Sequence, residues 1–135
     1  MEWHSNGYYG GRMNVENVDY KYQLKADSTF RVPVEGYKID EDYYSLNEFG
    51  TLTLKKGYAW NGATVAIDTK NFIESSAVHD SLYQMIKTKA LPAALRIVAD
   101  KELKRMCIKA GMSTLRAQYV YLAVRVFGAI FARNK

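Results

Sequence analysis

An imidazole, a phenol and two carboxylates stand close together in the C-terminal half of the chain. "AVHDSLYQ", from Ala77 to Gln84, holds His79, Asp80 and Tyr83, and "RIVADKEL", from Arg96 to Leu103, holds Asp100. Histidine occurs only at His4 and His79, so the setting of His79 is informative. A carboxylate bonded to one imidazole nitrogen fixes the tautomer and leaves the other nitrogen to take a proton from water or a hydroxyl. That is the chemistry of a histidine–aspartate dyad, with His79 and Asp100 as its candidates and Tyr83 as a catalytic neighbour. His79 and Tyr83 are four residues apart and share one face of a helix, while Asp80 lies about 100° further round. A plainer reading uses the same residues. A hydrogen-bonded network of histidine, tyrosine and aspartate can tie two helices together without reacting. Both readings stay open at the level of sequence.

The stretch "WNGAT", Trp60 to Thr64, precedes this region. Backbone carbonyls there, the Asn61 side chain, Asp68 and Asp80 are oxygen ligands of the kind a hard divalent cation such as calcium takes. Asp80 and Asn61 are the metal candidates, and Trp60 and Gly62 are candidate binding positions. The spacing is not that of an EF-hand, and Gly and Asn also serve ordinary turns. His4 and His79 are too isolated to suggest a transition-metal cluster. Ser75, Ser76 and Ser81 lie near His79 in sequence, but none sits in a G-x-S-x-G elbow. Cys107 is the single cysteine. It excludes an internal disulfide and reads as a small core residue with no activating base.

The elements that must position these groups follow from periodicity. Residues 1–18 read as a polar N-terminal segment. Residues 20–56 alternate with period two, in "YKYQLKA", "TFRVPV", "YKID", "YYSL" and "TLTLKK", with "NEFG" as a turn. They predict short antiparallel strands, with Pro33 at an edge or strand end. Residues 57–70 have no clear period and read as a structured loop. Residues 71–135 predict three helices. The first runs to Lys87 with Val78, Leu82, Met85 and Ile86 as its stripe. The second begins near Pro92, carries Leu95, Val98, Ala99, Leu103 and Met106, and ends near Ala110 with Gly111 as a C-cap. The third is capped by Ser113 and reaches about Ala132. A short turn between the first two packs them antiparallel, which lets Asp100 approach His79. Strands first and helices second make an α+β fold, a small antiparallel sheet followed by three packed helices, in one domain over 1–135.

The third helix, "STLRAQYVYLAVRVFGAIFARNK", has a wide apolar arc of Tyr119, Val120, Ala123, Val124, Val126, Phe127, Ile130 and Phe131, with Gln118, Arg125 and Arg133 opposite. It reads as a core helix that closes the domain, or as a surface that docks on a membrane or a partner protein. The chain carries a formal net charge of +5. Its densest basic run, Lys101 to Lys109, has helical spacing and reads as a solvated face, so a nucleic-acid partner is not expected. The polar, glycine-rich N-terminus has no apolar core of a signal peptide. No stretch reaches the roughly 20 apolar residues of a membrane span.

Taken in order, "KKGYAWNGATVAID", "AVHDSLYQ", "RIVADKELKRMCIKAGM" and "RAQYVYLAVRVFG" resemble a family of small phage and prophage proteins of unassigned function. The marks of that family are an H-D-x-L-Y helix, an A-D helix and a V-R-x-F-G helix, and the resemblance covers residues 50 to 128. Asn61 stands where the family has Asp, and Thr64 and Ala66 where it has Ser and Pro. The resemblance implies a phage protein of the host cytoplasm or the virion, with a phage or host protein as partner. A looser resemblance is to calcium-dependent secretory phospholipases, which order a glycine-rich calcium loop, an H-D-x-x-Y helix and an antiparallel helix with an orienting Asp. It implies His79 as base for an attacking water, Asp80 and loop carbonyls as calcium ligands, Asp100 and Tyr83 as orienters, and a cell-envelope lipid ester as substrate.

Overall fold

The computed structural model of the chain describes residues 1–5, 11–12, 19–20, 22–61 and 70–133. The chain divides into two compact units, Met1–Gly62 and Ala63–Lys135. Antiparallel strands in the N-terminal half precede three helices, which is an α+β fold.

In the N-terminal unit the strands are β1 (Trp3–Ser5), β2 (Gly11–Arg12), β3 (Asp19–Tyr20), β4 (Tyr22–Leu24), β5 (Ser28–Arg31), β6 (Ile39–Asp40), β7 (Tyr44–Leu46), β8 (Thr51–Leu54) and β9 (Ala59–Trp60). They form three separate sheets among the described residues, ordered β1-β4-β9, β2-β3 and β5-β8-β7-β6. The period-two pattern sets the register of the largest sheet. Leu52 and Leu54 of β8 point inward opposite Leu46 and Tyr44 of β7, while Thr51 and Thr53, which alternate with them, are only half-buried. A one-residue slip would turn all four to the other face. The turn "NEFG" is closed by the Asn47 side chain, whose Oδ1 accepts from the amides of Phe49 at 3.0 Å and Thr51 at 2.9 Å. Gly50 follows at φ +86, where a Cβ would sit 2.5 Å from the Val32 carbonyl oxygen. Only glycine fits that approach.

Three short strands, Trp3–Ser5, Gly11–Arg12 and Ala59–Trp60, fall outside the segments that alternation marks. Trp3–Ser5 pairs with β4, so the N-terminal segment begins as a sheet edge, and Ala59–Trp60 pairs with β4 from within the expected loop. Strands of two or three residues are too short to display a period. The aromatic side chains build the core here. Trp60 is 1% exposed, stacked on Tyr58 with centroids 5.9 Å apart and tilted against Tyr22 at 5.6 Å.

In the helical unit, α1 spans Lys70–Lys87, a 3₁₀ turn spans Ala93–Leu95, α2 spans Arg96–Lys109 and α3 spans Thr114–Arg133. Helix α1 ends where Lys89 adopts φ +69 and the amides of Ala90 and Leu91 turn back to the Met85 carbonyl. Gly111 takes φ +106 after α2, and Ser113 Oγ accepts from the Arg116 amide at 3.2 Å to open α3. Burial of α1 extends well beyond its apolar stripe. Phe72, Ile73, Ala77, Val78, Leu82, Met85 and Ile86 are buried, and so are Ser75, Ser76, His79, Ser81 and Tyr83. Two of the buried serines are satisfied within their own helix. Ser76 Oγ donates to the Ile73 carbonyl at 2.7 Å and Ser81 Oγ to the Val78 carbonyl at 2.8 Å. Apolar packing between α2 and α3 centres on Leu103, Cys107, Met112, Ala117, Val120 and Val124, with Phe72 of α1 among them.

Candidate active site

The helical unit brings His79, Tyr83 and Asp100 together, and adds an arginine to them. The Asp100 carboxylate is wholly buried between the three helices. Its Oδ1 lies 2.7 Å from His79 Nε2 and accepts from the Tyr83 hydroxyl, also at 2.7 Å. Its Oδ2 accepts from Arg125 Nη1 at 2.7 Å. The His79 and Tyr83 rings, one helical turn apart on α1, stack obliquely with centroids 4.3 Å apart. Arg125 is held in turn by the contact of Arg96 Nη1 with its carbonyl at 3.3 Å. A carboxylate can be buried at modest cost only when paired and hydrogen-bonded. Here one carboxylate takes a donor from α1 twice and from α3 once.

The tautomer follows from these partners. An ionised carboxylate only accepts, so Nε2 carries the ring proton of the neutral imidazole and the lone pair is on Nδ1. Nδ1 faces the next residue of the helix. It lies 3.8 Å from Asp80 Oδ1, an ion-pair distance longer than a hydrogen bond, and the Asp80 side chain is 32% exposed. Burial works against the charged imidazole, and the Asp100 and Asp80 carboxylates outweigh it, so the His79 pKa is raised above the ordinary histidine value. Burial alone would raise Asp100, but the donors from His79, Tyr83 and Arg125 hold it below the usual carboxylate range. Burial raises Asp80, partly offset by His79. Tyr83 is pushed far above the ordinary phenol range, by burial first and then by Asp100.

These shifts predict a stability profile. A raised histidine contributes stability that is full below about pH 6.5 and fades as pH rises through its folded pKa. A lowered aspartate contributes stability that is full above about pH 4 and fades as pH falls through its folded pKa. Asp80 opposes part of this from about pH 4 upward, weakly because it is partly exposed. The melting temperature is therefore expected to peak between about pH 4 and 6.5 and to fall toward pH 9. Thermal melts across that range check it, and His79→Gln is expected to flatten the alkaline fall.

Gly128 shapes the site from α3. A Cβ at this position would lie 2.2 Å from the Tyr83 hydroxyl oxygen and 2.9 Å from two of its ring carbons. The phenol is tied to Asp100 and has little room to retreat. Helix propensity alone favours alanine over glycine by about 1 kcal/mol. Overpacking costs about 1–3 kcal/mol, and at these distances the upper part of that range applies. Gly128→Ala is therefore expected to lose about 1–2 kcal/mol net. Urea denaturation measures the loss, and it should shrink in a Tyr83→Leu background, where the obstructing phenol is gone.

Arg125 and Gly128 both fall in the "VRVFG" stretch, and neither stood among the sequence candidates. Arg125 reads by arc as lying opposite the apolar face. Its side chain is instead 28% exposed and reaches the buried carboxylate. The signal is that α3 carries no acidic residue to pair with its arginines, so Arg125 had to find a carboxylate on another helix.

The remaining candidates belong to other parts of the chain. Trp60 and Asn61 belong to the N-terminal unit, Trp60 in its aromatic core and Asn61 exposed. Gly62, Thr64, Ala66 and Asp68 lie outside the described residues. Among the described residues no group of three His, Cys, Asp or Glu side chains could hold a metal ion. Calcium takes six to eight oxygens. Asp80 is one carboxylate beside an imidazole, and the loop carbonyls and Asp68 that would complete a calcium site lie outside the described residues. Cys107 is buried, and burial raises its thiol pKa, as suits an inert core residue.

No family model, curated protein or solved structure matches the chain.

Proposed function

We propose that the helical unit is a hydrolase of carboxylic esters, of lipids or of the cell envelope, with His79 as general base. One observation carries this reading. Nε2 of the imidazole is committed to a buried carboxylate, whereas Nδ1 makes no hydrogen bond to its 3.8 Å neighbour, the partly exposed Asp80. A water at Nδ1 gives up a proton as its oxygen attacks the ester carbonyl carbon. Asp100 stabilises the imidazolium that forms. As the tetrahedral intermediate collapses, the bond to the alkoxy oxygen breaks and Nδ1 returns the proton to the leaving alcohol. Ester and water become acid and alcohol, and His79 ends as it began. Tyr83 and Arg125 are positioning residues that fix the carboxylate. The lipid or envelope substrate rests on the phospholipase-like order of the motifs, and a phage or prophage origin on the H-D-x-L-Y, A-D and V-R-x-F-G stretches.

A second reading is favoured by Arg125. A carboxylate neutralised by a guanidinium as well as an imidazole ties α1, α2 and α3 into one body. A non-enzymatic virion or tail component, or a host-interaction protein, would need that and nothing more. A hydrolysis screen over acyl esters and phospholipids separates the two, with wild type and His79→Ala run side by side. Turnover lost in the variant supports the hydrolase. Equal rates sink it, and detection of the chain in purified virions then supports the second reading.

A further inference from the structure

Helix α3 has two apolar faces, and only one is covered. Ala117, Val120, Val124 and Gly128 are buried and follow one line along the helix. Diametrically opposite, Leu115, Tyr119, Leu122 and Val126 follow a second line at spacings of four, three and four residues. They are 84%, 60%, 53% and 62% exposed, and Phe127, about 100° further round the helix from Val126, is 46% exposed. A helix apolar on both sides calls for a second environment for the outer one. This corrects the reading of one continuous core arc, because Tyr119, Val126 and Phe127 stand outside the core.

Charge indicates which environment that is. The unit Ala63–Lys135 holds twelve Lys and Arg against five Asp and Glu, a formal charge of +7. The unit Met1–Gly62 holds seven against nine, or −2. Two of the five acidic residues of the helical unit are buried and neutralised internally, Asp100 by His79 and Arg125 and Glu102 by Arg105. Lys101 and Lys109 on α2 and Lys87 and Lys89 at the end of α1 are exposed. Lys104 bridges the groove between α2 and α3. It bonds Gln118 and sits 5.6 Å from the centroid of the Tyr121 ring, so the basic surface of α2 borders the apolar stripe. A second copy meeting this face with its own would bring like charge to like charge. Nucleic acid would match the lysines and leave the apolar stripe in water.

We propose that the outward face of α3, flanked by the lysines of α2, docks on an anionic lipid surface. Leu115, Leu122, Val126 and Phe127 enter the headgroup region, Tyr119 sits at its edge and the lysines meet the phosphates. No helix of the described chain is long and apolar enough to cross a membrane, so the contact is interfacial. This inference stands apart from the hydrolase reading and is tested apart from it.

The test is flotation of the full chain with vesicles of ether-linked lipids, which offer no acyl ester. One set is pure phosphatidylcholine and the other contains about a third phosphatidylglycerol. Binding to the anionic set is expected to be about tenfold or more stronger, from several lysines near the surface, and to weaken at high salt. Leu122→Glu with Val126→Glu, both at exposed positions, should abolish binding while circular dichroism and melting temperature stay unchanged. Lys101→Glu with Lys109→Glu should weaken it. Equal partitioning onto the two vesicle sets, or undiminished binding of the Leu122/Val126 variant, overturns the proposal. So does a wild-type dimer in sedimentation that the same variant dissociates, because the face then belongs to a second copy. Failure of binding leaves the chemistry of His79 untouched, and loss of ester turnover in His79→Ala leaves binding untouched.

Discussion

Asp100→Ala is expected to destabilise the helical unit by about 3–5 kcal/mol, the cost of breaking a buried ion pair by removing one partner. Three donors lose their acceptor together: His79 Nε2, the Tyr83 hydroxyl and Arg125 Nη1. The first two sit in side chains almost closed to water, so water cannot fully replace what they lose. The lost bonds do not set the size of the effect, since each is worth only about 1 kcal/mol net. It comes from leaving a part-buried guanidinium and a buried imidazole without their counter-ion. Urea denaturation followed by helical circular dichroism reads it. Replacing His79, Asp100 and Arg125 together with apolar side chains of similar size should recover most of the loss. A triple variant as unstable as Asp100→Ala would show that packing, and not stranded charge, is at stake.

The second large effect concerns rate. His79→Ala is expected to lower ester hydrolysis by about 10²- to 10⁴-fold, the range for removing a positioned general base, which is about 3–5 kcal/mol of barrier. Asp100→Asn should lower the rate too, because the amide no longer enforces a proton on Nε2 and a lone pair on Nδ1. Tyr83→Phe removes one of three donors from Asp100 and should act mainly on stability. A Tyr83→Phe loss as large as that of His79→Ala would move the phenol from positioning the carboxylate into the chemistry itself.

The helices and their ends were readable because their determinants are local. Gly111 and Ser113 mark boundaries through backbone geometry and capping that neighbouring residues decide, whereas Pro92 opens the 3₁₀ turn Ala93–Leu95 and α2 itself begins at Arg96. The approach of Asp100 to His79 was readable too, since a short turn forces α1 and α2 antiparallel. Arg125 and Gly128 escaped because their roles depend on the third helix lying against the first two. That placement involves residues from Tyr83 to Gly128, and no window along the chain contains it. Trp60 illustrates the opposite difficulty. Trp60, in "WNGAT", reads as a candidate binding position in sequence, yet its ring is part of an aromatic core with Tyr22 and Tyr58. The two faces of α3 were merged into one arc because periodicity reports apolar residues and does not report which of them a neighbour covers.

If His79 is the base, its Nδ1 takes a proton from water. The most direct measurement is the pH dependence of kcat/KM between pH 5 and 9, on the ester turned over fastest, for wild type and His79→Ala together. Only the deprotonated ring can act as base, and the raised His79 pKa places its ionisation above the ordinary histidine value. The wild-type rate should therefore climb with pH through a single ionisation above about 6.5. The variant should be flat and at least about a hundredfold slower. Superimposable profiles, or no turnover of any ester by the wild type, would contradict it.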